Sequence, residues 1–72
     1  MQVKPGQIFR HKGDNKYTIL ILELIEIHNE RLWRNALIDV GSLTGFREGH
    51  KHSTAENLIK HDFEFVPTSA IK

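Results

Sequence analysis

The chain contains no cysteine, which removes disulfides, zinc-thiolate sites and thiol nucleophiles together. Its two prolines lie near the ends, Pro5 in a Pro-Gly turn signal and Pro67 where it stops a final strand. Neither sign of charge dominates: ten Lys and Arg against nine Asp and Glu leave a net charge of +1 with His neutral. That balance gives no bulk attraction for nucleic acid. The longest uninterrupted apolar run, Ile19 to Leu22, falls far short of the roughly 20 residues a membrane helix needs, so no membrane partner is expected. The opening Met1 to Gly6 has no apolar signal core and cysteine is missing, so a cytoplasmic location is expected.

Catalytic signatures are missing as well. The chain has no Gly-x-Ser-x-Gly elbow, phosphate loop, dinucleotide fingerprint or metalloprotease pair. Ser42, Ser53 and Ser69 fall in expected turns, a helix cap and the tail, where local backbone hydrogen bonding accounts for a hydroxyl. No enzyme and no cofactor is expected. The sequence has no repeats, low-complexity segment or linker, so residues 1–72 are read as a single small β domain. A chain of this length buries only about 60% of the surface its unfolded form exposes. Packing or self-association must replace the missing staples.

What the chain does have is the run Tyr17 to His28, rich in aliphatic β-formers. Asn29-Glu30 turns it into a second strand-like run, Arg31 to Val40, which is a hairpin signature. Around this hairpin, Gln7 to Lys12 reads as a first strand and Gly13-Asp14-Asn15 as the turn that closes it. Both faces of the long strand are apolar, and a bulge between Glu23 and Glu26 would send both carboxylates to solvent and bend the strand. In the next strand Leu32, Ala36, Ile38 and Val40 are expected to point inward, interrupted by Arg34. Gly41 to Gly45 reads as a turn into a short strand at Phe46 to Glu48, and Gly49 to His52 as loop. Ser53-Thr54-Ala55-Glu56 has capping-box spacing before a helix over Thr54 to His61, with Ala55, Leu58 and Ile59 inward. Phe63 to Val66 alternates as the last strand, and Thr68 to Lys72 is expected to fray. The fold expected is all-β with one short helix: a curled antiparallel sheet of about five strands, an SH3-like small barrel, with an OB-like barrel as the rival.

The segment Gly6-Gln7-Ile8-Phe9-Arg10-His11-Lys12-Gly13, followed by Tyr17 and an aliphatic run, resembles the opening of a group of short bacterial and phage β domains of unassigned function. Those domains carry a Gly-x-x-aromatic-Arg-His-x-Lys-Gly opening, a later Glu-x-x-aromatic stretch and a Phe-rich final strand. Glu30-Arg31-Leu32-Trp33 and Phe63-Glu64-Phe65 fill the later positions. His11-Lys12-Gly13 is one residue tighter than that pattern, and its Trp-Val-Arg-Pro segment is replaced by Gly45-Phe46-Arg47-Glu48. The resemblance implies a fold and a bacterial or phage setting, not an activity.

For function, an inward even face on the third strand would leave Trp33 on the outer face beside Arg31 and Asn35, the composition of an interaction hot spot. The reading is a non-catalytic module that engages a protein partner, with Trp33 as anchor, Arg31 and Arg34 supplying charge-assisted bonds, and Phe9 or Phe46 extending the patch. Burial of Trp33 in the core is the competing reading. The alternative function is a nucleic-acid-binding barrel in which Trp33 stacks a base while Arg10, Lys12, Lys16 or Arg47 hold phosphates. Apolar residues on both faces of the long strand further suggest a homodimer. His50-x-His52, with His61 and Asp62 further on, is the one metal-like cluster. Nothing in the sequence shows the supporting hydrogen bonds that a ligating imidazole needs, so no metal is expected. Each of the five histidines can gain a proton below about pH 6.5.

Overall fold

The computed structural model describes residues 2–14, 16–41 and 45–67. Five strands and one helix follow in the order β1 (Ile8–His11), β2 (Tyr17–Ile27), β3 (Glu30–Val40), β4 (Lys51–Ala55), α1 (Glu56–Asp62) and β5 (Phe63–Val66). They form one antiparallel sheet, ordered β4-β3-β2-β1-β5. The domain is therefore mostly β with one short helix, but the expected SH3-like barrel and curled sheet are not formed. β4 and β5 lie at opposite edges, and no ladder joins them among the described residues. The cause lies in the connection: α1 leads straight from β4 into β5 and packs against β3, β4 and β5, so the helix bridges the two edges. Closing a barrel would require a continuous ladder there.

The central hairpin has a tight two-residue turn. His28 and Asn29 both take left-handed backbone angles, φ of 50° and 66°, and Ile27 pairs with Glu30. Two successive positive φ values give a turn whose twist matches that of the flanking strands. The turn thus begins one residue earlier than expected, at His28 rather than Asn29.

Two bulges set which residues face the core. Ile21 pairs with Asn35 and Glu23 with Arg34, leaving Leu22 as the extra residue on β2. Inward positions consequently pass from Tyr17, Ile19 and Ile21 to Leu24. The bend sits before Glu23 rather than between Glu23 and Glu26. Both carboxylates are nevertheless exposed, on opposite faces of the sheet. On β3, Thr18 pairs with Asp39 and Ile19 with Leu37, so Ile38 is the extra residue. Before this bulge the odd positions Trp33, Asn35 and Leu37 are buried. After it Val40 packs against the core. The expected inward face of Leu32, Ala36 and Ile38 is in fact the outer one, and Ile38 is exposed.

The core consists of Val3, Phe9, Ile19, Ile21, Trp33, Leu37, Ile59 and Phe63. Its aromatic end is ordered edge to face, with Phe9 against Phe65 at 5.9 Å and His11 and Tyr17 each against Phe63 at 5.1 and 5.3 Å. The His11 ring also closes the turn after β1, its Nδ1 accepting from the amides of Gly13 and Asp14. Of the expected helix residues only Ile59 is fully buried, while Leu58 is exposed. Gly41 is the one position where close approach demands glycine: at φ +59° a Cβ would lie 2.8 Å from the Tyr17 amide and 2.6 Å from the Asp14 carboxylate.

The expected capping box does not form. Ser53 and Thr54 belong to β4, the N-cap is Ala55 without a side-chain bond, and Glu56 is the first helical residue. Ladder pairing of Ser53 with Arg34 and of Thr54 with Trp33 outweighs a single cap. For the same reason the fourth strand is Lys51–Ala55, not Phe46 to Glu48, which lies outside the strands. The tail and the middle of the Gly41 to Gly45 turn lie outside the described residues, as does Asn15.

Candidate functional site

The structure separates the residues that the sequence grouped as one partner surface. Trp33 is 3% exposed and Phe9 likewise 3%, both in the core on the inner face. Trp33 is thus a core residue and not the solvated anchor that an inward even face would have produced. Arg31 is exposed at the far end of the same face, where it pairs with Glu56. Arg34 lies on the outer face opposite Glu23. Phe46, 45% exposed, stands apart from these residues against His50, with ring centres 5.1 Å apart.

On the inner face, Trp33 and Asn35 organise a polar strip along β3, β4 and the start of α1. The Trp33 indole N–H donates to Glu56 Oε1 at 2.9 Å, and Arg31 Nε donates to both carboxylate oxygens at 3.2 and 3.1 Å. Lys60, one turn further along the helix, lies 3.9 Å from the same carboxylate. Glu56 is held below its ordinary pKa, first by the indole N–H, and then by the hydrogen bond and charge of Arg31 and the charge of Lys60, against partial burial acting the other way. Because the folded-state value is lowered, this stabilisation is complete above the unfolded carboxylate range and is lost as pH falls through the folded value. In urea titrations from pH 7 to pH 3, wild type is expected to exceed Glu56→Gln in stability near neutrality. The gap should narrow progressively as pH falls below the ordinary carboxylate value of about 4.3. A gap that persists in acid would show that the carboxylate charge is not what stabilises.

Asn35 is completely buried and uses its whole amide. Its Nδ2 donates to the Trp33 carbonyl and to Thr54 Oγ1, each at 3.0 Å, and its Oδ1 meets His52 Nε2 at 3.0 Å. With the amide nitrogen committed to two acceptors, the oxygen faces the imidazole, and His52 must donate from Nε2. Burial, reinforced by the neighbouring His50, pushes His52 below its ordinary pKa, so the ring is neutral at pH 7. The sequence placed Asn35 beside Trp33 but on a solvated face. The alternation Trp33, Asn35, Leu37 was the available signal for an inner face, obscured by the polarity of Asn35.

The outer face is organised in rows by register. Val66, Ile8, Leu20 and Ala36 form one apolar row across β5, β1, β2 and β3, all half-buried. Ile25, Leu32 and Ala55 form a second. Between the two rows lie Glu23 and Arg34, directly opposite each other. Beyond the first row, Glu64 lies across from Arg10, with their side chains 4.0 Å apart. The helix packs its buried Ile59 into the core of the inner face, away from these rows.

A cavity of about 330 Å³ opens beside the hairpin turn, lined by Asn29, Glu30, Arg31, Ala55, Glu56 and Asn57. Of its charged lining residues, Arg31 and Glu56 pair with each other. Among the described residues no three His, Cys, Asp or Glu side chains converge as a metal site, and no helix is long and apolar enough to cross a membrane. Compared with known proteins, the chain matches no family model, no curated protein and no solved structure.

Proposed function

We propose that this domain is a non-catalytic binding module that engages a protein partner through the outer face of its sheet, and that the partner is a second copy of the chain. The observation that carries this reading is the pair of half-buried aliphatic rows on either side of Glu23 and Arg34. Half-buried apolar rows on a sheet face lose their remaining contact with water when a partner packs on them. A two-fold axis brings the same patch onto itself, so a patch holding one acid beside one base is self-complementary: Arg34 of each copy meets Glu23 of the other. Arg34 is the residue of the sequence-derived set that keeps an interaction role. Glu23 and Glu64 interleave with Arg34 and Arg10, which breaks any continuous cationic track and favours a protein over a nucleic-acid strand. The resemblance of the opening segment supports a bacterial or phage setting.

Sedimentation equilibrium of wild type and Ile25→Glu tests this, with folding verified by circular dichroism. Ile25 lies half-buried in the second apolar row, where a carboxylate keeps access to water in a monomer and is stranded in an interface. Wild type is expected to dimerise, and the substitution to raise the dissociation constant at least about 100-fold. A wild type that stays monomeric at the highest soluble concentration overturns self-association. Dimerisation unaffected by Ile25→Glu moves the interface off this face.

A further inference from the structure

We propose that His50 and His52 form a binding site for a divalent transition-metal cation that prefers imidazole nitrogen, such as zinc or copper(II). The two residues stand two apart where the chain enters β4, with Lys51 on the opposite side of the pleat, so both rings project to one side. Their ring centres are 5.9 Å apart. Two imidazoles sharing one tetrahedral cation through bonds of about 2.0–2.1 Å have centres roughly 5 Å apart. The rings meet edge to face, at 83°, so a shared cation takes a rotation of the His50 ring together with an approach of about 1 Å, which its exposed position ahead of the strand allows.

Support for the ring is what separates this pair from an ordinary exposed one. Asn35, buried and locked by its bonds to Trp33 and Thr54, accepts from His52 Nε2. That contact fixes the tautomer and the ring plane and leaves the Nδ1 lone pair for a cation, the arrangement that ligating histidines usually show. On the other side Phe46 packs edge to face on His50 at 5.1 Å and lies 6.5 Å from His52, giving the pair an apolar wall. The protein supplies two ligands, and water completes the coordination sphere. The site is independent of the outer sheet face, because His52 pairs with Asn35 on the inner side of the sheet.

Copper(II) added in steps to the protein, with the histidine imidazole resonances followed by NMR, tests the proposal. Zinc calorimetry provides the affinity. Resonances of His50 and His52 are expected to broaden before those of His11, His28 and His61, and zinc to bind one ion per chain. His50→Gln, at an exposed position outside every strand, is expected to weaken zinc binding at least tenfold with the fold unchanged. His61→Gln should leave zinc binding unaltered. Simultaneous broadening of all five histidines, absence of zinc heat at millimolar concentration, or undiminished zinc binding by His50→Gln would each overturn the site.

Discussion

Trp33→Ala is expected to lose cooperative folding rather than binding alone. Removing a buried indole costs about 3–5 kcal/mol through lost burial and the cavity left behind. A domain below about 80 residues with no disulfide or metal rarely has more than about 3–5 kcal/mol in hand. Trp33 also donates to Glu56, so its removal takes one partner from a carboxylate that ties α1 to β3. Trp33→Phe is a milder change: it keeps an aromatic ring in the core but removes the N–H together with part of the indole volume, for an expected loss of about 1–3 kcal/mol. Urea unfolding followed by circular dichroism distinguishes the cases. A Trp33→Ala protein that unfolds with the wild-type midpoint would place the side chain at the surface and restore the anchor role suggested by its arginine neighbours.

The second large effect concerns Asn35. Asn35→Leu keeps the branched shape of the side chain but removes its hydrogen bonds to the Trp33 carbonyl, the Thr54 hydroxyl and the His52 Nε2–H. Stranding buried polar groups costs about 1–3 kcal/mol apiece where water cannot reach them. Thr54 and His52 are only half-buried and regain some hydration, so the expected total is about 2–4 kcal/mol. Combining Asn35→Leu with His52→Phe removes both ends of one bond and is expected to recover part of the loss. A double-mutant cycle in urea should thus give a coupling of about 1 kcal/mol or more. Strict additivity would mean that the Asn35–His52 contact contributes no stability. Such a result would also remove the support proposed for the imidazole as a metal ligand.

Short-range features were legible in the chain. β-branched content and turn residues marked β1, the long hairpin and β5 with boundaries close to those observed. Hairpin signals are local, since they depend on propensity and on one turn. Facing was not legible, because each bulge shifts the alternation by one residue and the pairing partner decides where it occurs. Leu22 and Ile38 are unremarkable aliphatics in sequence, yet as the extra residues they switch which side faces the core. The error on β3 then carried into the site: with the even face placed inward, Trp33 and Asn35 appeared solvated, whereas they are the buried organisers of the polar strip.

The Ser53 to Glu56 segment shows the same division. Its spacing fits a cap, but cross-strand bonds to β3 compete with that local motif, and Glu56 is drawn to Trp33 and Arg31 instead. By itself the sequence determined the β class, the hairpin and the excess of aliphatic residues over what one core face accommodates, because composition and near-neighbour propensity suffice for these. The tertiary structure alone decided the open sheet, the inner and outer faces, the burial of Trp33 and the pairing of Asn35 with His52. Each of these depends on which strands meet and in which register, a choice made by contacts between residues far apart in the chain.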